Sequence, residues 1–295
     1  MSKFGIKHIL LVIISIIFAM QFGSCHMQES DTYNVPLWDR PTLRILAIGN
    51  SFSIDAVEQN LYELAAAAGY NCEIGNLYIG GCSLERHVSN IESDAKAYEY
   101  RKVDFYGKLT VRNETSIRDA LCDGEWDFVS VQQVSSLSGL YETYAASLPA
   151  LTEYIEKYCP TAEIVIHQTW AYSEDSDHEG FANYGRDQQK MYEAIVSSVR
   201  RAASEFGIEQ VIPAGTAIQN MRLTSVGDNL DRDGYHLNPL GRFTAACVWL
   251  ESLFEVDVRE NGYESPLIDV DLQKLAKKAA HAAVLSPYSI TIIDE

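Results

Sequence analysis

The stretch Leu43–Ala56, LRILAIGNSFSIDA, decides how the rest of the chain is read. Leu43, Ile45, Leu46, Ala47 and Ile48 form an apolar run with the length and branching of a buried strand, and the run stops at Gly49-Asn50. A helix starts there: Ser51 or Ser53 can cap it, and Ile54, Val57, Leu61, Leu64 and Ala65 recur on one helical face over Ile54–Gly69. Ser51 then occupies a strand-to-helix elbow at the carboxyl edge of a sheet, beside free backbone N–H groups that favour negative charge. That position suits a nucleophile, although taken alone it is equally the place of an ordinary helix cap.

Downstream, strand and helix patterns alternate. Cys72–Ile79 reads as a second strand ending in the turn Gly80-Gly81-Cys82-Ser83-Leu84, and Leu84–Ile91 as a short helix. The alternation over residues 98–113, with Tyr106-Gly107 near its middle, predicts an inserted β-hairpin. Ile117–Leu121 is a helix, Trp126–Gln133 a third core strand, Leu148–Tyr158 a helix, and Ala162–Trp170 a fourth strand. The long amphipathic helix Asp187–Phe206 precedes a fifth strand, Gln210–Pro213. Thr216–Met221, Gly241–Phe254 and Asp271–Leu285 complete the helices, with a polar loop over Asn229–Leu240. Strands separated by helices predict an α/β fold with a five-stranded parallel sheet, ligands lying beyond the strands' carboxyl ends. No composition break inside residues 41–290 calls for a second domain, although the last forty or so residues read as a possible peripheral addition.

Residues 1–24 read as a signal peptide: Lys3 and Lys7 precede an apolar run from Ile9 to Met20 that is short for a membrane span. Phe22-Gly23-Ser24-Cys25 resembles a bacterial lipobox, which implies cleavage and lipidation at Cys25, residues 25–40 as a tether, and an exported protein held at a membrane. The mature chain then carries 21 basic against 41 acidic residues, a net charge of −20. This balance argues against nucleic acid as a partner. The remaining five cysteines are an odd number at wide spacings without a CxxC pair, so they indicate neither a disulfide framework nor a metal site.

The polar loop holds Asp233-Gly234-Tyr235-His236, a carboxylate three residues before an imidazole. In one turn Asp233 can hold the Nδ1 proton of His236 while Nε2 faces a hydroxyl. A serine elbow at the first strand, a glycine turn at the second, an amide at the third and a terminal DxxH come in a diagnostic order. Over residues 42–256 the chain resembles the SGNH hydrolases, also called GDSL-like esterases.

The resemblance implies a flavodoxin-like three-layer α/β/α sandwich and ester hydrolysis by Ser51, His236 and Asp233 without metal or cofactor. It also implies an oxyanion hole of the Ser51 and Gly81 N–H groups with a side-chain amide. The chain departs from the family pattern twice: GNS stands for GDS, placing Asn50 beside the nucleophile, and Gln132 or Gln133 stands where the family has Asn. The sialate and carbohydrate acetylesterase branch similarly carries a Gln, in a Tyr-Gln-Gly-Glu-Ser pattern; aligning it with Val131-Gln132-Gln133-Val134-Ser135 favours Gln132. Asn50 and Trp170 are candidate substrate-binding residues, Trp170 as a stacking face for a sugar ring, against the alternative of core packing. The expectation is therefore an acetylesterase acting on an acylated carbohydrate; the competing readings are a silent glycan-binding lipoprotein and a lipase or thioesterase of the same superfamily.

Overall fold

A computed structural model describes residue 36 and residues 39–295. The signal peptide, Cys25 and the whole tether except residues 36, 39 and 40 lie outside the described residues. Seven strands form one sheet: β1 (Thr42–Gly49), β2 (Asn71–Tyr78), β3 (Tyr98–Val103), β4 (Leu109–Thr115), β5 (Phe128–Val131), β6 (Glu163–His167) and β7 (Gln210–Ile212). Their order is β4-β3-β2-β1-β5-β6-β7.

The five strands β2-β1-β5-β6-β7 run parallel, but β3 pairs antiparallel with β2 and β4 with β3. The sheet is thus mixed and seven-stranded, a correction to the expectation of five parallel strands. The hairpin does not stand apart as an insertion. Its β3 completes the backbone hydrogen bonds on the free side of β2, with Ile74 opposite Val103 and Tyr78 opposite Glu99.

β1 lies at the centre, and Ile45, Leu46, Ala47 and Ile48 are fully buried because helices cover both faces. Truncating one of them, such as Leu46→Ala, is worth about 2–5 kcal/mol of stability. α1 (Ser51–Val57), α2 (Leu61–Ala67), α8 (Ala214–Arg222), α9 (Pro239–Phe254) and α10 (Val270–Leu285) pack together as one layer. α3 (Leu84–Glu92), α4 (Ile117–Leu121), α5 (Tyr141–Ala145), α6 (Leu148–Tyr158) and α7 (Gln188–Phe206) form the other.

The expected helix over Ile54–Gly69 is broken in two, because Asn60 takes a left-handed conformation (φ 69°) between α1 and α2. The tail is integral. Leu275, Ala276, Ala279, Ala280 and Ala283 of α10 are buried, Asn220 donates to the Ala279 carbonyl, and Gln168 donates to that of Pro287.

Within the parallel part the order is the flavodoxin-like one, in which connections leave β1 in opposite directions on its two sides. The crevice at that reversal lies between the carboxyl ends of β1 and β5. Ser51 follows β1 directly, and Gln132 follows β5. No helix among the described residues is long and apolar enough to cross a membrane.

Candidate active site

Ser51 opens α1, yet neither it nor Ser53 caps that helix. Asn50 does so, its Oδ1 accepting from the Phe52 N–H at 3.0 Å, which leaves the Ser51 hydroxyl free to face outward. Asn50 is itself fastened on three sides: Nδ2 donates to the Cys82 carbonyl at 3.0 Å, and Oδ1 also accepts from Gln132 Nε2 at 2.9 Å. Because Oδ1 takes two N–H donors, Gln132 must turn its NH2 toward Asn50 and its Oε1 toward His167 Nδ1, 2.9 Å away. His167 is therefore the Nδ1–H tautomer, and burial pushes its pKa down to about 3, so it stays neutral. Gly49 makes room for this network: a Cβ there would lie 2.6 Å from Ser53 Oγ and 3.0 Å from the Gln132 amide carbon.

The loop over residues 229–240 brings the second half of the site. His236 Nε2 lies 2.9 Å from Ser51 Oγ, and His236 Nδ1 lies 2.7 Å from Asp233 Oδ2. Asp233 Oδ1 also accepts from the His236 backbone N–H at 2.8 Å, so the carboxylate grips its histidine at two points. Burial raises the Asp233 pKa, but the hydrogen bonds from His236 outweigh it and hold the carboxyl below its usual range. With Nδ1–H donated to Asp233, the Nε2 lone pair faces the serine hydroxyl, the arrangement required of a general base.

Ser51, Gly81, Tyr78, Ser135, His178 and Tyr235 are among the residues lining a cleft of about 400 Å³. Gly81 sits in the left-handed region (φ 61°) on the exposed turn after β2. No acceptor among the described residues takes the N–H of Ser51 or Gly81, so both are available to a developing oxyanion.

A family model described as a domain of unknown function, DUF4886, matches residues 44–283. The chain belongs to the DUF4886 family. A crystal structure of a DUF4886 family protein from Bacteroides uniformis is 51% identical, with a TM-score of 0.84 over 85% of this chain and 97% of that one. A candidate SGNH hydrolase from Slackia heliotrinireducens is 24% identical and shares the fold, with a TM-score of 0.50 over 72% of this chain and 99% of its own. An acetylxylan esterase from Geobacillus stearothermophilus is 14% identical, with a TM-score of 0.46 over 75% and 95%. No curated protein matches the chain.

In this DUF4886 chain three expected site residues occupy other places. Gln132 is 1% exposed and committed to Asn50 and His167, so its amide does not face the cleft. Gln133 is equally engaged: Nε2 donates to Thr143 Oγ1, and Oε1 accepts from the Leu84 and Val134 N–H groups. Trp170 offers no face to a sugar, because it is 1% exposed and stacked on Phe52 at 4.2 Å; its indole N–H donates to the Tyr235 carbonyl at 2.7 Å. It packs beneath the site and steadies the loop beside His236.

Two features escaped the sequence reading. Asp55, one turn after Ser51 on α1, is fully buried and accepts from the Leu237 N–H at 2.8 Å and from Arg232 at 3.1 Å. Arg242 meets its other oxygen through Nε at 2.9 Å and Nη2 at 2.7 Å. His178, the second, lies in the polar loop after β6 and lines the cleft. Away from the cleft, the described residues whose donor atoms gather within metal-ligating reach are Glu251, Asp257 and His281. Val258 N–H and Arg259 already occupy those carboxylates, which makes this an ion-pair cluster between α9 and α10.

Proposed function

We propose that the protein is a serine ester hydrolase that removes short acyl groups, acetyl foremost, from carbohydrate hydroxyls. The observation that carries the reading is the continuous hydrogen-bond line from Ser51 Oγ through both nitrogens of His236 to Asp233.

Ser51 Oγ attacks the acyl carbon as His236 Nε2 takes its proton, and the negative charge on the former carbonyl oxygen meets the N–H groups of Ser51 and Gly81. Collapse of the tetrahedral species breaks the bond to the alcohol oxygen, which receives the proton from His236. Water then attacks the acyl-serine, again giving its proton to His236, and collapse returns that proton to Ser51 and releases the acid. Asp233 holds the tautomer throughout and stabilises the imidazolium. No metal or cofactor enters these steps.

The short acyl group is supported by the modest cleft, and the carbohydrate by a lining rich in hydrogen-bonding groups, Ser135, His178, Arg232 and Tyr235 among them. Resemblance to the acetylesterase branch supports both, though Gln132 then serves as a positioning residue. The proposal extends to location: export and lipidation at Cys25, read from Lys3, Lys7 and the apolar run, place the enzyme where glycans arrive. Loss of labelled fatty acid in Cys25→Ser checks that part.

The deciding experiment is hydrolysis of p-nitrophenyl acetate by the purified protein. Ser51→Ala and His236→Ala are each expected to lose about 10³-fold or more of kcat while folding normally. Turnover that survives in both variants rejects the assigned residues. Activity that climbs from acetyl to octanoyl esters replaces the acetylesterase with a lipase-like enzyme.

A further inference from the structure

The loop after β6 brings a second imidazole to the cleft, unused by the chemistry above. His178 is half-buried, and its Nδ1 accepts from the Gly180 N–H at 3.0 Å. The proton therefore sits on Nε2, which no acceptor among the described residues takes and which is not sealed inside the protein. Burial, the dominant influence, pulls the ring's pKa down against the opposing charge of Glu179, so the ring remains a neutral donor.

Its orientation is held by packing. The His178 ring lies 4.7 Å from that of Tyr172 and edge-on to that of Tyr235 at 4.8 Å, while Tyr235 in turn packs on His236 at 4.2 Å. His236 must deliver its proton to the departing alcohol, so the alcohol side of the substrate lies against that histidine. His178 stands one ring further along the same wall.

We propose that His178 is a specificity residue for the alcohol half of the ester, its Nε2–H donating to a hydroxyl oxygen next to the esterified one. The preferred substrates are then acyl esters of vicinal diols, as on a pyranose ring, rather than esters of simple alcohols. This rests on the esterase reading and adds the feature of the alcohol that the site reads. A site built to hydrogen-bond a hydroxyl discriminates against the analogue that lacks it, because its donor is left unpaired.

The test compares two monoacetylated methyl pyranosides that differ only in the hydroxyl beside the ester, present in one and replaced by hydrogen in the other. The native protein is expected to favour the hydroxyl-bearing ester about tenfold in kcat/KM, the worth of one good hydrogen bond. His178→Phe keeps a ring between Tyr172 and Tyr235 and is expected to bring that ratio to near one. His178→Gln, which can accept from Gly180 and donate into the cleft, is expected to restore part of it. A ratio that stays at the native value in His178→Phe overturns the assignment of His178 and leaves the esterase reading standing. Turnover of p-nitrophenyl acetate with none of either sugar ester overturns the carbohydrate reading together with it, and no turnover of any ester removes the hydrolase itself.

Discussion

Ser51 rises from the end of the central strand and is held by Asn50, Gln132 and His167, three buried groups joined by uncharged hydrogen bonds. His236 and Asp233 instead sit on a loop whose residues are partly open to solvent, and a buried carboxylate, Asp55, ties that loop to α1 through Arg232 and the Leu237 N–H and to α9 through Arg242. The proposed nucleophile is thus part of the sheet edge, whereas the proposed base is clamped onto it from outside. One side rests on neutral contacts alone; the other adds a buried charge to the hydrogen bonds that Trp170 and Ser173 make to the loop carbonyls.

The largest effect on stability should follow from breaking the clamp. Asp55→Ala leaves Arg242, whose side chain is 18% exposed, without its carboxylate and frees the Leu237 N–H. Loss of one member of a buried ion pair is worth about 3–5 kcal/mol of stability, readable by denaturant unfolding. A loop displaced by about 1 Å should also lower kcat/KM on p-nitrophenyl acetate about 100-fold. Asp55→Asn keeps an acceptor for Leu237 and should lie between that variant and the native protein. Native activity in Asp55→Ala would show that the 229–240 loop finds its place without the clamp, and the contrast between the two regions would collapse.

A smaller effect sharpens the contrast on the serine side. In Gln132→Leu, Asn50 Oδ1 keeps the Phe52 N–H, and the unmet group is the Nδ1–H of His167. One such buried donor is worth about 1–3 kcal/mol of stability. Turnover should fall no more than about tenfold, since the proposed oxyanion donors, the N–H groups of Ser51 and Gly81, are backbone groups. A fall of about 10² to 10³ in kcat at unchanged stability would instead return Gln132 to the oxyanion hole.

The two sides also differed in how far they could be read from sequence. The pairing of Asp233 with His236 is local, three residues in one turn, so the motif carries its own geometry. The elbow at Ser51 is likewise local: an apolar run ends and a helix begins. Asp55 looked like any polar residue on a helix, because its partners Arg232 and Arg242 are 177 and 187 residues away. Gln132 was placed correctly at a strand end, but whether its amide turns toward the cleft or the core depends on Asn50 and His167, which no pattern ties to it. Trp170 stayed open between a sugar face and core packing for the same reason, since the ring's stacking on Phe52, which settles it as core, is a contact between distant segments. The hairpin was legible as a hairpin, while its attachment to β2 was not, because one strand's alternation does not name its neighbour.

The smallest expected effect separates the two regions by pH. His167 behind the serine and His87 beneath the Gly81 turn are both fully buried, and burial lowers each pKa to about 3. In the unfolded chain each titrates near 6.5, so between about pH 6.5 and 3 the unfolded state binds protons that the folded state refuses. Stability therefore falls as pH drops through that window and is at its full value above it. From pH 7 to pH 6 the loss is about 0.7 kcal/mol for each histidine. The loop side behaves oppositely in range: Asp233, held below its usual value, contributes stability that is complete above the unfolded carboxylate range and disappears only as pH falls through its lowered folded pKa. Urea unfolding across pH 5 to 7 measures the difference. His167→Phe should remove about half of the two histidines' slope whatever it does to absolute stability, and an unchanged slope would mean that the serine-side network tolerates a charged imidazole.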